Sequence, residues 1–152
     1  MTSNPVKPIR TAIVGVGNCA SSLVQGISYC RALGDDAIGV TFPVLGGYRP
    51  QDVEIVAAFD VDQRKVGRPV GEAVFAAPNC TERFHTELGE QTAQVLRGPD
   101  LDGVSAFMRN QAPEKSFVVS SAPALSREEV VAALKAAEAE VVINFLPVGS
   151  HE

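Results

Sequence analysis

A chain of 152 residues, 45% hydrophobic and 20% charged, is long enough for one domain with a real core and is ordinary in composition. Its net charge of −5 comes without a Lys/Arg cluster, so nucleic acid and anionic membranes have no electrostatic support as partners. No run is long enough for a membrane span, and "MTSNPVKPIR" lacks the apolar core of a signal peptide. The odd cysteine count, with Cys19, Cys30 and Cys80 far apart and no CxxC pair, fits reduced thiols in a cytoplasm rather than a disulfide framework or a zinc site.

Pro5 and Pro8 make residues 1–8 an extended lead-in. The β-branched run Ile9 to Val16, bounded by glycines, predicts a buried strand. From Asn18 to Leu33 the apolar residues Leu23, Val24, Ile27 and Cys30 recur at helical spacing, and Gly34-Asp35 is a stop signal. Residues 35–52, rich in Gly and Pro, read as a surface insertion. Val53 to Asp62 predicts a second buried strand, Gly71 to Ala77 a short helix ended by Pro78, and Ala93 to Gly98 a third strand. Asp102 is placed to N-cap a short helix through Met108. Ser126, with Glu129 three residues on, forms a capping box, and Glu128 and Glu129 suit the dipole of the helix it starts. Val141 to Pro147 is a last strand. Alternating strands and helices over residues 9–152 predict one α/β domain, a Rossmann-type parallel sheet with helices on both faces.

Between the first strand and the first helix stands Gly15-x-Gly17-x-x-Ala20, the G-x-G-x-x-A form of the dinucleotide fingerprint. Gly15 permits a tight turn, Gly17 lets the backbone approach a pyrophosphate, and Ala20 allows close helix–strand packing. The helix N-terminus supplies N–H donors and a positive dipole end, with the Ser21 and Ser22 hydroxyls as further donors. The competing reading is a tight turn with no ligand. Asp60, ending the second strand, is the acid expected to accept hydrogen bonds from the adenosine ribose hydroxyls; its competing reading is a strand-end cap. It lies about twice as far from Gly17 as the usual interval of about 20 residues, an excess the 35–52 insertion explains. Asp60 and Asp62 should repel a 2′-phosphate and favour NAD over NADP, whereas Arg64 and Lys65 pull the other way. Cys19 reads as a small packing residue before it reads as a reactive thiol, and Asp100 and Asp102 as a turn and a cap. Neither His85 nor His151 has a partner at ligand spacing, so no metal site is assigned.

Taken in order, "VGVGNCASSLVQGI", "AAFDVDQRKVG", "RGPDLDG" and "NFLPVGS" give the chain a resemblance to myo-inositol-1-phosphate synthase (inositol-3-phosphate synthase) of the shorter bacterial and archaeal type, running from about Ile9 to the last residue. The resemblance implies NAD in a Rossmann domain and conversion of glucose 6-phosphate to an inositol phosphate. The steps it implies are oxidation at C5, enolisation, intramolecular aldol closure and re-reduction. It implies that Gly15, Val16, Gly17, Asn18, Cys19 and Ala20 form the pyrophosphate loop, that Asp60 is the ribose acid, and that Ala137, Gly149 and Ser150 are further cofactor positions. A further family acid after Val66-Gly67 is replaced here by Pro69. The resemblance also implies a homotetramer for the full-length family, and catalytic lysines that match none of Lys7, Lys65, Lys115 or Lys135, so no catalytic residue is expected in this chain. With four strands and an end at "LPVGSHE", the expectation is an incomplete member whose catalytic part follows Glu152. An NAD-dependent sugar oxidoreductase and a non-catalytic nucleotide-binding module are the alternatives; "LPVGS" together with the asparagine of the glycine loop favours the synthase.

Overall fold

The computed structural model describes residues 6–101 and 104–147. The elements are β1 (Ile9–Val14), α1 (Asn18–Leu33), β2 (Val53–Asp60), α2 (Val70–Ala73), β3 (Val95–Arg97), α3 (Ala106–Arg109), α4 (Arg127–Ala136) and β4 (Val141–Asn144). All four strands are parallel, in the order β3-β2-β1-β4. The chain therefore builds outward from β1 to β3 and then returns to the other side of β1. That reversal puts a crevice between the carboxyl ends of β1 and β4, where sheets of this kind take their ligands.

Two apolar layers cover the sheet. On one face Ile13, Ile55 and Ala58 meet Val24 and Ile27 of α1 and Val70 and Ala73 of α2. On the other, Ala12, Ala57 and Phe59 meet Val130, Ala133 and Leu134 of α4. Each fully buried branched side chain contributes about 1.5–3 kcal/mol, so α1 is held mainly by this stripe. Its end is a backbone device: Gly34, at φ 57°, donates its N–H to the Cys30 carbonyl. Within β2 the pairing passes from Thr11↔Ile55 to Ala12↔Ala57, so Val56 is an extra residue. This bulge is why Ile55 and Ala58, an odd and an even position, lie on the same face.

Several boundaries differ from the sequence reading. β1 ends at Val14 because the positive φ of Gly15 turns the chain. β4 ends at Asn144, whose Oδ1 accepts the Leu146 N–H at 2.8 Å and so diverts the backbone. β2 ends at Asp60 and β3 begins at Val95. The short helix before Arg109 is capped by Ser105, whose hydroxyl accepts the Met108 N–H at 3.3 Å; Asp102 lies outside the described residues. The box at Ser126 forms as expected, with Ser126 Oγ accepting from Glu129 N and Glu129 Oε2 accepting from Ser126 N at 2.7 Å.

Residues 79–92 have no regular structure, and α1 holds part of this run with side chains. Asn18 bonds Cys80, Gln25 bonds the carbonyl of Glu82 and the N–H of His85, and Ser28 bonds the carbonyl of Leu88.

Candidate cofactor site

The loop after β1 is fixed from below. Gly15 donates its N–H to the Phe59 carbonyl at 2.8 Å and sits at φ 88°. A Cβ there would stand 3.2 Å from the carbonyl carbon and oxygen of Phe145, where β4 passes. Gly15 is thus required by the turn and by packing alone. Gly17 is different. Its φ of −97° suits any residue, and a Cβ built on it meets nothing within 4 Å. No contact within the described protein calls for glycine at this position.

Gly17 also N-caps α1 without a side chain, and α1 has no acidic residue in its first turn. Sixteen residues of aligned peptide dipole therefore end in N–H groups that no side chain caps. Ala20 is fully buried under the loop, where a larger side chain would force the helix off the sheet. Ser21 is a correction: it is buried and its Oγ accepts from Gln25 Nε2 at 3.1 Å, so it faces the interior, whereas Ser22 is exposed. Cys19 is exposed on the first turn. Val16 fills the core beneath the loop.

Asp60 reaches the loop directly. Its Oδ2 accepts the Val16 N–H at 2.7 Å, and its Oδ1 accepts the N–H groups of Val61 and Asp62 at 2.7 and 2.8 Å. The strand-end cap is therefore real, and it also aims the carboxylate at the glycine loop. Oδ2 retains one lone pair beyond its bond to Val16.

Arg64 is not available to an outside anion. It gives Nε and Nη2 to Asp62 at 2.9 and 2.5 Å, Nη1 to the Pro113 carbonyl at 2.8 Å, and Nη2 to the Ser116 carbonyl at 2.7 Å. Asp62 is fully buried. Burial pushes its carboxyl up, but the hydrogen bonds and charge of Arg64 and the N–H groups of Arg64 and Val118 outweigh this and hold it below the usual carboxylate range. Lys65 is 5% exposed, with Nζ 3.9 Å from Asp60 Oδ2.

Asn18 ties a second segment to the site. Its Oδ1 accepts the Cys80 N–H at 2.9 Å, its Nδ2 approaches Cys80 Sγ at 3.2 Å, and its carbonyl accepts the Thr81 hydroxyl at 2.9 Å. Residues 79–81 thus lie beside the first turn of α1. An Asn immediately before a helix-like run is the one sequence signal for such a tie.

The structure brings Gly15, Val16, Gly17, Asn18, Cys19, Ala20 and Asp60 together. It does not bring Ala137 to them. Ala137 is the C-cap of α4, and its carbonyl accepts Nε and Nη2 of Arg10, the second residue of β1, at 3.1 and 2.9 Å. A helix that returns antiparallel to the strands ends at their amino edge, the far end of the sheet from the loop. Pro69 carries no carboxylate and N-caps α2. Gly149 and Ser150 lie outside the described residues.

No family model matches the chain. It is 43% identical over 146 residues to the inositol-3-phosphate synthase of Mycolicibacterium smegmatis, and 42% identical over 146 residues to the protein of that name from Corynebacterium glutamicum. Each alignment takes in 95% of this chain and 38% of the relative, so the chain spans well under half the length of the curated relatives it matches. Among solved structures it superposes on Ari2 with a TM-score of 0.70 at 34% identity, over 92% of this chain and 38% of that one. A myo-inositol-1-phosphate synthase-related protein from Thermotoga maritima, at 19% identity and a TM-score of 0.63, shares the fold over 91% of this chain and 34% of its own. The chain is thus similar, along nearly its whole length, to the N-terminal part of inositol-3-phosphate synthases.

Proposed function

We propose that this chain is the NAD-binding part of an inositol-3-phosphate synthase. Its role is to hold the dinucleotide whose nicotinamide accepts and returns a hydride during conversion of glucose 6-phosphate to 1D-myo-inositol 3-phosphate. The observation that carries the reading is Gly17: a residue in ordinary backbone conformation, with open space where its side chain would be, at the uncapped end of a 16-residue helix. A turn without a ligand accounts for Gly15 and leaves Gly17 unexplained. A pyrophosphate accounts for both, since it needs close backbone approach and converging N–H donors.

In this reading the N–H groups at the start of α1 hold the pyrophosphate, and Asn18 keeps residues 79–81 against it as a second wall. The remaining lone pair of Asp60 Oδ2 accepts a ribose O–H. NAD is favoured over NADP because the Asp60 carboxylate repels a 2′-phosphate and Arg64 is already committed to Asp62, Pro113 and Ser116. Catalytic groups, the sugar phosphate site and the contacts of a cytoplasmic homotetramer are assigned to sequence outside this chain, as the family resemblance implies.

The test is calorimetric titration of the purified chain with NAD and NADP. NAD should bind at least about tenfold more tightly, and Asp60→Asn should shift that ratio toward NADP by about 1–3 kcal/mol, the scale for a charged hydrogen bond. Asn is the sharper substitution, because its one oxygen still accepts the N–H groups of Val61 and Asp62, whereas Ala would leave those and the Val16 N–H without an acceptor. Absence of binding to either nucleotide would overturn the reading; equal affinity for both would remove the role of Asp60.

A further inference from the structure

Lys65 is a charged side chain that is 5% exposed and lies beside the acid of the glycine loop. Its neighbour Arg64 is fully engaged by a carboxylate and two carbonyls. Lys65 itself is 5% exposed, yet among the described residues its ammonium has only the Asp60 carboxylate nearby, at 3.9 Å, beyond hydrogen-bond reach. An ammonium carries three donors, so one held at this distance has donors left for an acceptor from outside the chain. The oxygen it faces, Asp60 Oδ2, is the one that keeps a lone pair after bonding Val16 of the glycine loop.

We infer that Lys65 is a ribose-binding residue: its ammonium donates to the adenosine ribose hydroxyl that in turn donates to Asp60. This rests on the proposed NAD site. One hydroxyl oxygen making two hydrogen bonds of about 2.8 Å bridges the 3.9 Å gap between Nζ and Oδ2, with an angle near a right angle at the oxygen. The hydroxyl then supplies what each side lacks, an acceptor for the ammonium and a proton for the carboxylate. Lysine and aspartate thus present a donor and an acceptor side by side to the ribose.

The experiment compares NAD with its analogue lacking the 2′ and 3′ hydroxyls of the adenosine ribose, each titrated into wild type and Lys65→Met. Wild type should prefer NAD. Lys65→Met should lose about tenfold for NAD and keep its affinity for the analogue. A purely structural lysine would lower both affinities together, and an uninvolved one would lower neither; either result overturns the inference. Loss of NADP binding alone would reassign Lys65 to a 2′-phosphate and also overturn it. Wild type that binds no dinucleotide would refute the NAD site itself, a separate outcome. Should Lys65→Met not fold, Lys65→Arg keeps the charge and displaces the donors, and the same selective loss for NAD is expected of it.

Discussion

The two ends of the sheet handle charge in opposite ways. At the amino end, polar groups saturate one another at the surface: Lys7 pairs with Glu140 at 2.7 Å, Arg10 with Glu54 at 3.4 Å, and Arg10 also donates to the Ala137 carbonyl. At the carboxyl end, charge is buried and left partly unanswered. The α1 donors have no side-chain cap, Asp60 keeps a lone pair, and Lys65 has no hydrogen-bonded partner among the described residues. A closed end is what stability alone produces. Under the proposed function, the donors and acceptors left over at the other end are the ones a dinucleotide takes up.

The largest effect that sharpens this contrast comes from the loop glycines. Gly15→Val should cost about 3 kcal/mol or more, combining a left-handed backbone with contact against Phe145. Gly17→Val should cost under about 1 kcal/mol yet abolish NAD binding. Urea unfolding and calorimetry of both variants separate the two roles, and equal destabilisation would erase the distinction between them. Next comes Asp62. With its carboxyl held below the ordinary range, its stabilisation is complete above the unfolded value of about 3.9 and is lost as pH falls through the lower folded value. Asp62→Asn should cost about 2 kcal/mol at neutral pH and remove that acid-dependent step, which urea midpoints measured from pH 7 to pH 2 report. The smallest effect belongs to the amino end. The Glu140 hydrogen bond raises the Lys7 ammonium, and the Lys7 hydrogen bond lowers the Glu140 carboxyl, but both groups are solvated. Lys7→Ala should leave the unfolding midpoint unchanged at physiological salt, and a clear drop would show that the amino end is not merely surface.

Much of the β1–α1 unit was legible because each part is local. A β-branched run, two glycines, apolar residues at helical spacing and a glycine stop all lie within one window. The capping box at Ser126 was legible for the same reason. What escaped depends on where side chains point across the fold. Gln25 and Ser28, polar residues on a helix, carry no sequence signal of their role, yet they bind the irregular run from Glu82 to Leu88 that has no pattern of its own. Arg64 and Lys65 read as charges pulling toward NADP, whereas one anchors residues 113–116 and the other lies beside Asp60. Ala137 was carried over by its position before the last strand. Chain direction, which a motif match does not contain, puts it at the other end of the sheet.

The bulge at Val56 has a consequence for how this chain tolerates change. Side chains on a strand alternate, so one extra residue would exchange inside and outside for everything beyond it unless a bulge absorbs it. Deleting Val56 would therefore leave a regular strand in the register the sheet already has. Thr11↔Ile55 and Ala12↔Ala57 would become consecutive pairs, Ile55 and Ala58 would keep one layer and Ala57 and Phe59 the other, and Asp60 would stay against the loop it now grips. The strand thus carries a spare residue four positions before its acid, and the aim of Asp60 is insulated from it.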